Sequence, residues 1–115
     1  MLLFKKKYFE LIKAGQKVTT LRFWKSRRAK PGSIHKVPNL GKVFVEEVSI
    51  VRADSLSDDD AIADGFASAA ELASELDKLY PPDKRDGREL YKIKFLYLAG
   101  SDSPGKIGEQ PETTA

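Results

Sequence analysis

The chain has 115 residues, enough for one domain whose core needs neither disulfide nor metal. It has no cysteine and one histidine, His35, which excludes disulfides, cysteine-ligated zinc and cysteine nucleophiles together and argues against a histidine-built metal site, so no cofactor is expected. The net charge of +3 conceals an asymmetry: residues 1–30 carry ten lysines and arginines against Glu10 alone, whereas residues 54–79 carry eight aspartates and glutamates against Lys78 alone.

A basic amino-terminal third points to a polyanion such as nucleic acid, unless the two segments pack together and neutralise each other. Met1 to Phe4 are cut off by Lys5-Lys6-Lys7, which leaves no signal-peptide core and nowhere a run long enough to span a bilayer. A cytoplasmic protein without membrane partners is the expectation. Phe4, Tyr8, Leu11 and Ile12 recur at helical spacing and predict an amphipathic helix over 4–14. Gly15 stops it, and a lysine soon after suits the negative end of a helix. The β-branched and aromatic run from Lys17 to Trp24 predicts a strand, with Thr20, Arg22 and Trp24 on one face and Thr19, Leu21 and Phe23 on the other. Lys17 joins the first group only if the chain bends near Val18.

The basic run Lys25 to Lys30 ends in the turn signal Pro31-Gly32, and a short strand follows around Ser33 to Val37. Lys42 to Arg52 is β-rich, with Val43, Val45 and Val51 assigned by alternation to one face and Phe44, Val48 and Ile50 to the other. Apolar residues on both faces predict a strand covered twice or coiled into a barrel. Ser57 with Asp60, and Ser68 with Glu71, are capping-box spacings for two helices, the first closing at Asp64-Gly65 and the second carrying Ala69, Leu72, Leu76, Leu79 and Tyr80 to the Pro81-Pro82 stop. Asp58 to Asp60 read as a helix start, not a metal site, because adjacent helical residues point apart. Tyr91, Ile93, Phe95 and Tyr97 alternate with Lys92 and Lys94 as a closing strand, and residues 100–115 read as a flexible tail.

The junction of first helix and first strand carries Gly15-x-Lys17-x-x-Thr20-x-Arg22. With the Lys-Pro-Gly turn at residues 30–32 and Asp64-Gly65-Phe66 after a short acidic helix, the sequence resembles the ASCH domain family over roughly residues 4–98, within a domain at 1–99. The resemblance implies an α+β, PUA-like fold: a small curved β-barrel with an amino-terminal helix and a two-helix insertion before the last strand. It also implies a basic cleft at the junction that takes RNA or a modified nucleoside. Some family members are amidases that deacetylate acetylated cytidine, and others have been described as ribonucleases. In the amidase branch a lysine and a threonine of the motif act with a glutamate from the helical insertion. Lys17 and Thr20 match, while the glutamate falls on Asp64, one methylene shorter.

Two chemistries follow. In a catalytic site, Lys17 would take the Thr20 proton if burial or a cationic neighbour lowers its pKa, Arg22 would hold a substrate oxygen or phosphate, and Asp64 would orient the lysine or protonate a leaving amine. In a binding module, Arg22, Lys25, Arg27 and Arg28, with Lys5, Lys6, Lys17 and Lys30, would meet phosphates while Trp24 or Phe23 stacks a base. A third reading, in which the acidic helices contact a basic partner, rests on the charge distribution alone.

Overall fold

The computed structural model describes residues 2–98; the expected tail at 100–115 lies outside the described residues. Four antiparallel strands, β1 (Thr19–Trp24), β2 (Ile34–Val37), β3 (Gly41–Val51) and β4 (Glu89–Leu98), form one curled sheet in the order β1-β4-β3-β2. Helix α1 (Phe9–Lys13) precedes the sheet, and α2 (Asp58–Ala63) and α3 (Ala69–Leu79) are inserted between β3 and β4. This is the anticipated α+β architecture with its two-helix insertion, the expected small curved barrel being a curled four-stranded half-barrel. No helix of the described residues is long and apolar enough to cross a membrane.

Both faces of the sheet carry a core, although Ile34 and Leu96, on either side of Phe44, stay exposed. On one, Val43, Val45, Ile93 and Phe95 pack with Ile12 of α1, Leu2 and Trp24. On the other, Leu21, Phe23 and Leu90 pack with Ala61 of α2 and with Leu72 and Leu76 of α3. Strand β3 serves both faces by breaking its own alternation. Its register with β4 shifts between Val45, opposite Phe95, and Glu47, opposite Lys94, so one residue bulges and every later side chain changes sides. Val48 therefore joins the face of Val43 and Val45, and Val51 the helical face, which corrects the assignment made from strict period two.

The amino-terminal helix is shorter than the apolar spacing predicts. A 3-10 turn (Lys6–Tyr8) leads into the five residues of α1, and Lys5 is extended, with φ −67° and ψ 141°. Three consecutive lysines would sit at the positive end of a longer helix, which disfavours its first turn. Phe4 still reaches the core, its ring 5.4 Å from that of Phe95. At the other end of α1 the Gly15 N–H bonds to Ile12 O and the Gln16 N–H to Leu11 O, the paired bonds of a left-handed closure for which Gly15 supplies φ +76°.

Candidate functional site

This closure delivers Lys17 between two helix ends. The Lys17 N–H bonds to Leu11 O and the Val18 N–H to Ala63 O, so the predicted strand starts only at Thr19. The side chain then runs inward, 3% exposed, and Nζ donates to the main-chain carbonyl of Asp64 at 2.8 Å. Asp64 caps the carboxyl end of α2, so the lysine serves the negative end of that helix and not, as its position after Gly15 predicts, that of α1.

Asp64 is itself buried, with Oδ1 3.0 Å from Lys17 Nζ and accepting from Thr19 Oγ1 at 3.3 Å. Burial pushes the lysine pKa down and the carboxyl pKa up, each opposed by the charge of the other. Thr20 and Arg22, on the opposite face of β1, are joined by a bond from Arg22 Nε to Thr20 Oγ1 at 2.9 Å. Arg22 also donates from Nη2 to the carbonyl of Leu3 at 2.6 Å and lies over the Phe4 ring. Its burial lowers its pKa, yet a guanidinium stays charged.

Strand β1 is an edge of the sheet, and the two groups meet along that edge. There the amino-terminal segment closes one side and α3 the other, enclosing a cavity of about 320 Å³ lined by Lys17, Thr20, Arg22 and Asp64 together. Phe4, Phe66, Leu72, Leu76 and Tyr80 make most of the remaining wall apolar. Lys17, Thr20 and Asp64 thus share one cavity, with the lysine and the carboxylate in contact. No hydrogen bond joins Thr20 to either of them among the described residues; the threonine bonded to Asp64 is Thr19.

Five other candidates lie elsewhere. Trp24 is 8% exposed and packed against Tyr91, so it cannot stack a base: β1 turns its face onto the core at that end. Phe23 is buried on the opposite face beside Tyr80. Lys25, Arg27 and Arg28 stand exposed in the β1–β2 loop, outside the cavity.

Two lining residues escaped the motif. Glu75 of α3 accepts from the Tyr8 hydroxyl at 3.0 Å and pairs with Lys7 at 3.5 Å and Lys5 at 3.7 Å. Burial raises its pKa, but Tyr8, Lys7 and Lys5 outweigh that and hold it below the usual glutamate range. Burial first, and then Glu75, push the Tyr8 pKa far up, so Tyr8 remains a donor; its ring also carries the Lys17 ammonium 4.9 Å from its centre. The signal for Glu75 was present: it lies three residues after Leu72 and four before Leu79, inside the apolar stripe of α3.

Three solved structures show the same fold. The crystal structure of a hypothetical protein, PH0355, matches with a TM-score of 0.71 and 23% identity, covering 84% of this chain and 95% of that one. An ASCH domain from Lactobacillus crispatus matches with a TM-score of 0.66 and 17% identity over 76% of this chain and 68% of that one. Protein EF3133 from Enterococcus faecalis gives 0.59 and 16%, over 78% and 69%. The sequence matches no protein-family model and no curated protein.

Proposed function

We propose that this chain, which shares the fold of an ASCH domain, hydrolyses an amide on a nucleoside-sized ligand held in the cavity, acetylated cytidine being the first substrate to test. One observation carries the reading: a buried lysine in contact with a buried carboxylate lines, with a threonine, a cavity of about 320 Å³, within the range of small-ligand sites. The apolar wall suits a planar base or an acyl group, and the polar corner suits the amide.

In this mechanism Thr20 Oγ attacks the amide carbonyl carbon while its proton passes to Lys17 Nζ, which burial favours in the neutral form. As Oγ bonds to carbon, the negative charge develops on the former carbonyl oxygen. The Arg22 guanidinium, which donates from Nε to Thr20 Oγ1 and so leaves the threonine proton free to point elsewhere, is the cation beside it. Collapse breaks the C–N bond, and the amine leaves with the proton held by Lys17. Water then hydrolyses the threonyl ester, releasing the carboxylic acid and restoring the hydroxyl. Asp64, anchored by Thr19 and by its own carbonyl on Lys17, keeps the lysine amine beside the cavity.

The test is turnover of acetylated cytidine to cytidine and acetate by the native protein and by the variants Lys17→Ala and Thr20→Val, each checked for native fold by circular dichroism. Loss of a general base costs roughly 10²–10⁴-fold in rate. We expect a loss in that range for the lysine variant and near-complete loss for Thr20→Val. No turnover by the native protein, or undiminished turnover by either folded variant, would overturn the reading.

A further inference from the structure

In and beside the cavity, carboxylates match the lysines of the basic third, while Arg22 is held by Thr20 and the Leu3 carbonyl. Lys17 is matched by Asp64, and Lys5 and Lys7 by Glu75; outside it, Lys92 is matched by Asp60. In the β1–β2 loop, by contrast, Arg27, Arg28 and Lys30 have no carboxylate partner among the described residues. They line, with Ala29, Ser33 and His35, a separate concavity of about 290 Å³ that contains no acidic side chain.

The loop is held in shape before any ligand arrives. Ala29 is buried in the core between the exposed Arg28 and Lys30, which pins the middle of the loop and turns the cations outward. The Gly32 N–H bonds to Val45 O, and the Val45 N–H to Ser33 O, tying the turn to β3. Ser33 Oγ donates to Lys30 O and lies 3.0 Å from His35 Nε2, so the rim is cross-braced. Three cations on a fixed loop with no internal counter-charge attract an oxyanion without first breaking an ion pair.

We infer that the β1–β2 loop is a phosphate-binding site for single-stranded RNA, physically separate from the cavity and independent of whether the cavity hydrolyses amides. Arg22 in the cavity wall and Trp24 at the end of β1, where the loop begins, are two residues apart, roughly 7 Å at about 3.4 Å per residue. A strand with one base in the cavity can therefore lay its backbone along β1 and its further phosphates on the loop. The aromatic next to the loop, Trp24, is buried, and the concavity is lined by no exposed apolar side chain that could insert into a bilayer, so its contacts to a ligand are chiefly those of its cations. Recognition there is electrostatic and indifferent to base identity.

The experiment is fluorescence anisotropy of the native protein with labelled twelve-residue single-stranded RNAs of differing sequence, titrated over a range of salt concentrations. Each phosphate contact on a single strand contributes about 0.7 to the slope of log affinity against log salt. The triple variant Arg27→Gln/Arg28→Gln/Lys30→Gln should flatten that slope by about 2, equally for each sequence. Arg27→Lys/Arg28→Lys should keep the slope, and all these positions are exposed, so melting temperatures should match. Anionic lipid vesicles serve as the second arm and should show no loop-dependent binding. An unchanged slope in the triple variant, no RNA binding at low salt, or loop-dependent capture by vesicles without RNA binding would each overturn the inference. None of these readouts depends on nucleoside turnover, so this site and the cavity fail or stand separately.

Discussion

At the scale of single residues, the decisive pair is Lys17 and Asp64. A free lysine titrates near 10.4, and burial brings Lys17 below that, while the neighbouring carboxylate pulls it back up. If neutral Lys17 is the base, kcat/KM for acetylated cytidine should rise with pH along a limb set by that lysine. Asp64→Asn keeps an oxygen for the Thr19 hydroxyl but removes the charge. Its limb should move to lower pH, because the charge that raises the lysine pKa is gone. A pH–rate profile with the limb unmoved or moved upward would refute the assignment of Lys17 as base. Legibility at this scale was uneven: a lysine, a threonine and an arginine at motif spacing are visible in the sequence, but Glu75 and Tyr8 meet Lys17 only because α3 and the amino-terminal turn pack against the same edge of β1.

At the scale of elements, two glycines make the same backbone excursion for different ends. Gly15, at φ +76°, closes α1 with nothing near the position of a Cβ. Gly65, at φ +96°, follows α2, and a Cβ there would meet Leu11 Cδ1 at 3.2 Å and Lys17 Cβ at 3.5 Å. Both alanine variants should lose about 1–2 kcal/mol in urea denaturation from the left-handed conformation. Only Gly65→Ala should also depress turnover, because only that methyl crowds Leu11, whose carbonyl holds the Lys17 N–H; equal turnover losses in the two variants would contradict this. The caps tell a similar story. Both halves of the capping box at Ser57 and Asp60 form, and Asp64 stands at the other end of the same six-residue helix. At α3 the Ser68 half forms, but the Glu71 carboxylate takes the Ala67 N–H instead. The bulge in β3 leaves only a slight trace in the sequence, the adjacent Glu46 and Glu47 that interrupt the apolar alternation between Val45 and Val48.

At the scale of the whole molecule, the charge asymmetry of the sequence becomes a division of labour. The basic start of the chain lies across acidic α3, fastened by Glu75 to Tyr8, Lys7 and Lys5, and this strap is one wall of the cavity. Glu75 has a depressed pKa in the fold, so its contribution is present above the unfolded value of about 4.3 and is lost as pH falls through the lower folded value. Glu75→Gln should therefore cost about 1–3 kcal/mol in urea denaturation at pH 7 and progressively less toward pH 3. Hydrogen exchange at residues 3–8 should quicken in the variant. A constant difference between the two proteins across that pH range would show that the carboxylate does not fasten the strap.

The sequence by itself determined the element order, the two-helix insertion and the motif Gly15, Lys17, Thr20 and Arg22, because hydrophobic period, caps and turn residues are local signals. The alternative it left open, mutual neutralisation between the basic and acidic segments, describes the strap and the Lys17–Asp64 pair but not the β1–β2 loop. Only the tertiary structure decided that Trp24 is core, that Lys17 caps α2, that Glu75 closes the cavity and that Arg27, Arg28 and Lys30 stand apart from it. Those outcomes depend on which surfaces meet. Alternation gives a strand residue its side but not what covers that side, and contacts across 47 residues, as from Lys17 to Asp64, leave no periodic trace in the chain.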